Sequence, residues 1–255
     1  MSRDRQPALQ GGVRMRALVS NCRLAHEAEL PAIFDELLEA KTPVTVGFLN
    51  QHGYNVARGS ASSYRIFESL DVLFRDGIGI SIACKVFGMD PKDNLNGTDV
   101  IPSLVSYASR TLGNDVQFFA YGTAQPWLER GARELFSGAG FETLDGFQPI
   151  QSYVGHFKAR KRDGVPAVVV LGMGMPKQEL VAEAMKAALN SPMVIVCGGA
   201  ILDFKAERFS RAPKAFRVLR LEWLYRLALE PRRLFARYVV GIPVFLFSVL
   251  KDRVT

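Results

Sequence analysis

The sequence predicts an α/β fold: a Rossmann-like, mostly parallel sheet flanked by helices and followed by a helical, membrane-binding C-terminal appendage. Three observations carry that expectation. Short β-rich apolar runs alternate with longer segments of helical period, which is the pattern of βαβ units. The strand-like runs end in glycine-containing polar turns. The 255 residues are 48% hydrophobic and 22% charged, enough to bury one large core.

The elements follow in order. Residues 1–12 lack the apolar run of a secretory signal and read as a loose tail, ahead of a core over 13–204 and the appendage over 205–255. Helical spacing covers Glu27–Ala40, and strands follow at Val44–Leu49 and Asp71–Phe74. A helix over Gly79–Phe87 precedes one over Thr98–Thr111, which Thr98 and Asp99 can cap. The strand Val116–Tyr121 leads to helices over Pro126–Ser137 and Pro149–Lys161. The strand Ala167–Gly172 leads to a helix over Lys177–Leu189, whose first turn suits Pro176. Met193–Gly198 is the last strand. After Asp203 the pattern turns helical, with a break at Pro231. The apolar run Tyr238–Leu250 is shorter than the roughly 17 to 25 residues that span a bilayer.

Charge is concentrated at the end of the chain. Of a formal +7, the stretch from Lys205 onward holds 12 basic and 4 acidic side chains, so the remainder is close to neutral. Arginines beside Trp223, Tyr225, Tyr238 and an apolar run suit a helix lying on an anionic membrane surface. A solvated basic helix pair is the plainer alternative, and without an aromatic-interleaved recognition motif no nucleic-acid partner is expected. Cys22, Cys84 and Cys197 are odd in number and lack ligand spacing, which fits a reducing cytoplasm better than a disulfide framework. His26, His52 and His156 are isolated and no D-x-D occurs, so no catalytic metal is expected. Neither a serine-hydrolase elbow nor a P-loop is present. An NAD-type oxidoreductase would place its glycine loop near the first strand, and this chain does not.

Parallel sheets bind ligands beyond the carboxyl ends of their strands, so the residues there are the candidates. Asp76, in an Asp-Gly turn, can take a proton from a substrate hydroxyl, although Asp-Gly is also a common turn pair. His52 is either a base or a structural loop histidine. Gly172 and Gly174 lead into a helix start that can receive a diphosphate, or simply turn the chain. Gln178 can read a uracil or sugar edge, Asp99 can cap its helix, and Asp203 after Gly198-Gly199 can bind a ribose or start a helix.

In chain order, the Asn50 strand end, DGIG (Asp76 to Gly79), NGTD (Asn96 to Asp99), GMGMPKQE (Gly172 to Glu179), CGGAILDF (Cys197 to Phe204), RAP (Arg211 to Pro213) and LEWLYRLALEPRRLFARY (Leu221 to Tyr238) form an ordered set. The set resembles the bacterial WecG/TagA/CpsF glycosyltransferases, glycosyltransferase family 26, over nearly the whole chain from Val44. The resemblance implies metal-independent, inverting transfer of a hexose from a UDP-sugar to a polyprenyl-diphosphate-linked saccharide, with no cofactor. The enzyme would be cytoplasmic, peripheral on the inner face of the membrane. Asp76 would be the general base and Asn50 would position the acceptor or donor. Gly77, Gly79, Asp99, Gly172, Gly174, Gln178, Gly199 and Asp203 would line the nucleotide-sugar pocket. Arg211, Arg226, Arg232, Arg233 and Arg237 would contact lipid diphosphate or membrane phosphates.

One position departs from the pattern. Many members have Thr two residues before the matching Asn, where this chain has Phe48. Without that hydroxyl, the expectation leans toward a hexose such as glucose for exopolysaccharide assembly. N-acetylmannosamine or its uronic acid is the alternative donor sugar, and a non-enzymatic membrane adaptor is the alternative function. The apolar appendage can also pack against a sister subunit, which leaves a homo-oligomer open.

Overall fold

The computed structural model describes residues 11–209 and 222–254, together with residues 212, 213, 216 and 219. Six strands form one sheet: β1 Pro43–Leu49, β2 Val72–Arg75, β3 Gln117–Gly122, β4 Phe141–Asp145, β5 Ala167–Gly172 and β6 Met193–Cys197. Their order is β2-β1-β6-β5-β3-β4, and all five pairings are parallel. β5 is buried at every residue, as a continuous Ala-Val-Val-Val-Leu run requires when helices cover both faces. β4 is one of the two edge strands and is only half-buried, so FETLD needs no apolar run and escapes the sequence pattern.

Helices α1 Gly11–Ser20, α2 Leu30–Leu38, α3 Gln51–Gly59, α4 Ala61–Glu68, α5 Gly77–Val86 and α6 Gly97–Leu112 belong to the first half. α7 Trp127–Leu135, α8 Ile150–Arg160, α9 Lys177–Ala188 and α10 Ile201–Lys205 belong to the second. Alternate strand residues point to opposite faces. Val46, Phe48, Val168, Val170 and Val196 join α2, α6 and α7 on one side, and Val169, Leu171 and Ile195 join α8 and α9 on the other.

The structure differs from the sequence expectation in several places. Gly11 and Gly12, expected in the tail, begin α1, while residues 1–10 lie outside the described residues. Helices α3 and α4 were not foreseen. They are separated at Ser60, whose hydroxyl accepts the Ser63 N–H at 3.0 Å and so starts a new helix where Gly59 ended the old one. The cap of α6 is Asn96 rather than Thr98 or Asp99: the Asn96 side chain accepts the Asp99 N–H. Pro176 stands at the N-cap of α9, one residue before the helix.

The C-terminal segment is part of this body. α11 Glu222–Leu229 and α12 Pro231–Phe235 lead through a π-helical turn, Ala236–Val240, into α13 Gly241–Val254. α13 packs against α1, α3 and α5. Its Asp252 is 2% exposed and accepts from Tyr54 Oη at 2.7 Å and Arg58 Nε at 2.9 Å. Phe245 meets the Tyr54 ring edge-on at 5.1 Å between centroids. Wider π-turn spacing leaves carbonyls for outside donors. Gln51 Nε2 donates to the Arg237 carbonyl at 3.3 Å, and Asn55 Nδ2 to the Gly241 carbonyl at 2.7 Å.

Asp252→Ala would leave a buried phenol and a partly buried guanidinium without their acceptor. The expected loss is about 2 to 4 kcal/mol in unfolding free energy, measured by urea denaturation. An unchanged midpoint would show that the docking of α13 does not depend on this carboxylate.

Candidate active site

Because every strand runs the same way, all the carboxyl ends lie along one edge, and a cavity of about 960 Å³ follows that edge. β3 continues outward to β4 while β5 turns back to β6, so the switch point of the topology lies between β3 and β5. There Gly122 faces Gly172 so closely that a Cβ on Gly122 would stand 2.3 Å from the Gly172 oxygen. Only glycine permits the approach, and the cavity floor forms where the two strands release their chains.

At the β1/β2 end, Asn50 is the N-cap of α3, with its side-chain oxygen accepting from the N–H groups of His52 and Gly53. Its Nδ2 donates to Asp76 Oδ2 at 3.3 Å. Asp76 occupies the N-cap of α5 without using its carboxylate to cap that helix. Its backbone N–H donates to the Leu49 carbonyl at 2.8 Å, which ties the two strand ends together. The adjacent buried Arg75 turns away, donating to the carbonyls of Pro91 and Lys92. Gly77, at φ +80°, receives the turn, and its N–H is held by Asn94 Oδ1 at 2.7 Å.

His52 lies beside this pair. Burial, reinforced by the nearby Arg237 cation, pushes its imidazole down to about 4, so it is neutral in the working pH range and can donate or accept without a charge.

At the other end, Thr123 Oγ1 donates to Asp203 Oδ1 at 2.6 Å, and Arg208 reaches the same oxygen at 3.1 Å. Between the ends, Gln178 accepts the Gly199 N–H at 2.9 Å and donates to Glu179 at 2.7 Å. Gln178 therefore braces the β6–α10 turn, and Glu179 beneath it is raised to about 7 by burial.

A second cavity, about 310 Å³, lies on the far side of Asp76, with Asn50, Asp76 and Arg237 lining both. Its other walls include Ile78, Ile82, Trp223, Tyr238, Phe245 and Leu246, so it is more apolar and is roofed by the C-terminal helices.

Asn50, Asp76, Gly172, Gly174, Gln178, Gly199, Asp203 and Arg237 are thus brought to the large cavity, as expected of a shared site. Two expectations need correction. Gly77 and Gly79 line the second cavity rather than the large one, because α5 starts on the far side of Asp76. Asp99 is not among the residues of either cavity, since the Asn96 amide holds its carboxylate at the start of α6. Arg232 is exposed on α12 and lines neither cavity, Arg211 lies outside the described residues, and so do the side chains of Arg226 and Arg233. Thr123, Phe147 and Arg208 line the large cavity but carry no motif. The strand-end rule alone would have found Thr123, which follows β3 directly. Phe48 is buried against Phe74, ring centroids 5.8 Å apart, and makes part of the wall where a hydroxyl was expected in relatives. Among the described residues no three His, Cys, Asp or Glu side chains are grouped to hold a metal ion, and no helix is long and apolar enough to cross a membrane.

A model of the glycosyl transferase WecG/TagA/CpsF family matches residues 17–255. A Bacillus spizizenii protein named N-acetylglucosaminyldiphosphoundecaprenol N-acetyl-beta-D-mannosaminyltransferase is 29% identical over 193 residues, covering 73% of this chain and 70% of its own. A protein of the same name from Bacillus subtilis is 25% identical over 195 residues, 74% and 72% of the two chains. One from Staphylococcus aureus is 31% identical over 88 residues, 34% of each.

The depressed His52 has a signed consequence for pH. The unfolded chain takes up this proton near pH 6.5 and the folded chain only near 4, so its effect on stability is absent above 6.5 and increasingly unfavourable as pH falls toward 4. The His52 ring resonances are expected to stay at their neutral positions in an NMR titration from about pH 7.5 to 5.5. A midpoint near 6.5 would contradict the geometry.

Proposed function

The chain belongs to the glycosyl transferase WecG/TagA/CpsF family and is a glycosyltransferase, and from that premise we propose that it transfers N-acetylmannosamine from UDP-N-acetylmannosamine to a polyprenyl-diphosphate-linked N-acetylglucosamine. The single observation that supports this reading best is the carboxylate of Asp76 standing between a large cavity and a smaller, more apolar one. A wide cleft that crosses the sheet edge and carries Asn50, Asp76, Gln178, Asp203 and Arg208 on its walls suits a nucleotide sugar. An apolar recess under the C-terminal helices suits the lipid-proximal end of an acceptor. The Bacillus relatives are named as N-acetylmannosaminyltransferases, which favours N-acetylmannosamine over the glucose inferred from Phe48.

The chemistry follows from the placement. Asp76 removes the proton from the acceptor hydroxyl as its oxygen attacks the anomeric carbon, and Asn50 orients the carboxylate through its Nδ2. The new C–O bond forms opposite the breaking bond to the diphosphate, so the configuration inverts and UDP departs with the electron pair. The N-terminus of helix α9, the positive end of its dipole, follows the turn Gly172–Met175 on the wall of the large cavity, where the leaving diphosphate would lie. Arg237, shared by both cavities, supplies a cation at the junction. Asp203, oriented by Thr123 and Arg208, accepts from the ribose hydroxyls.

The acceptor is held at the cytoplasmic membrane face. Phe235, Val239, Val240, Val244, Phe247 and Leu250 are exposed along the last two helices and the turn between them, with Arg232 exposed nearby. Such an apolar face next to cations suits an anionic lipid interface.

In the presence of EDTA, UDP release and product mass measured over a panel of UDP-sugars should show acceptor-dependent transfer with the N-acetylmannosamine donor. Asp76→Asn should slow it between about 100- and 10,000-fold while leaving UDP binding intact. Transfer from UDP-glucose alone would restore the hexose reading, and no transfer despite membrane binding would favour an adaptor. Separately, the double variant Phe247→Ser, Leu250→Ser should weaken binding to anionic vesicles at least about tenfold in flotation assays, with UDP affinity unchanged.

A further inference from the structure

Phe147 stands out among the large apolar side chains of the core because it is 74% exposed and yet belongs to the wall of the large cavity. It is far from the exposed apolar face of the C-terminal helices in sequence, and its own loop is tightly held. Phe147 N–H donates to Asp145 Oδ1 at 2.9 Å, and Gln148 Nε2 to Asp145 Oδ2 at 2.7 Å. Tyr153 Oη donates to the Asp145 carbonyl at 2.9 Å. Lys177 Nζ bonds the carbonyls on both sides of the phenylalanine, Gly146 at 2.8 Å and Gln148 at 2.9 Å. Gly146 N–H donates to the Thr123 carbonyl at 3.0 Å, which anchors the loop to the end of β3. An apolar ring on a loose loop can fold back onto the surface, whereas this loop holds its ring at the cavity mouth.

The direction of the donor follows from the sheet. Strands lie about 4.8 Å apart, so β1 and β3, separated by β6 and β5, release their chains roughly 14 Å apart. The anomeric carbon must lie near Asn50 and Asp76 at the β1/β2 end. The nucleoside is then at the β3/β4 end, where Phe147 adjoins Thr123 and the Asp203 carboxylate.

We propose that Phe147 is the stacking platform for the pyrimidine base of the donor, carried on a loop whose backbone Asp145 and Lys177 hold before binding. This rests on the reading of the large cavity as a nucleotide-sugar site and adds the group that recognises the base. Because the backbone that carries the ring is already fixed, only two side-chain torsions are ordered when the base covers it, so stacking adds to affinity at a small ordering cost.

The test uses the full chain without acceptor. Calorimetric UDP affinity should fall about tenfold in Phe147→Ala and be retained in Phe147→Trp, with thermal midpoints matching wild type. The tryptophan of Phe147→Trp should also be quenched by saturating UDP, beyond any change in the wild type's own Trp127 and Trp223. Asp145→Ala should weaken UDP binding less than Phe147→Ala does. Wild-type UDP affinity in a folded Phe147→Ala, or no added quenching in Phe147→Trp, overturns the platform while leaving the donor site standing. Failure of the wild type to bind UDP overturns both.

Discussion

The parallel direction of all six strands is the constraint on which the rest depends. It delivers every strand end to one edge, so Asn50 after β1, Asp76 after β2, Thr123 after β3, and the glycine turns after β5 and β6 all meet there although they are far apart in sequence. The same arrangement requires both faces to be covered, which is why β5 is apolar without alternation and why the helices carry the chain back each time. The close approach of Gly122 and Gly172 is its local expression: two strand ends pack backbone to backbone beside the cavity, and Gly172 joins its wall.

The second determinant is the attachment of the C-terminal segment to α3. Asn50 begins α3, Gln51 and Asn55 bond the carbonyls of the π-turn, and Tyr54 and Arg58 hold Asp252. One short helix is therefore capped by the residue that bonds the Asp76 carboxylate and carries the docking surface for the C-terminal helices along its length. The recess beside Asp76 exists because this attachment places Trp223, Tyr238 and Leu246 across from Ile78 and Ile82. Asp76 borders both cavities beside this attachment, and burial together with Arg237 keeps the neighbouring His52 uncharged.

Much of this was legible before folding, and the reasons differ by element. Ala167–Gly172 was read without error because a buried central strand must be continuously apolar. β4 was missed because an edge strand has no such need, and α3 and α4 because Gly59-Ser60 and a serine run obscure two short helices. Asp76, Asn50 and Asp203 were identified because they follow strands or glycine turns. Gly77 and Gly79 line the smaller cavity and not the large one, since chain order says nothing about which face of a helix start meets which cavity. Asp99 reads from its local sequence as a cap more than a ligand, and the structure shows the Asn96 amide holding it.

The sequence by itself determined the alternation of strands and helices, the family, and the residue types available at the strand ends, because periodicity and turn chemistry are local properties of the chain. Only the tertiary structure decided which strand ends face one another, that Asp76 borders two cavities rather than one, and that Phe147 is held at the mouth of the larger. Those depend on strand order and on contacts between residues scores of positions apart, such as Thr123 with Asp203 and Tyr54 with Asp252. No local pattern encodes such distances.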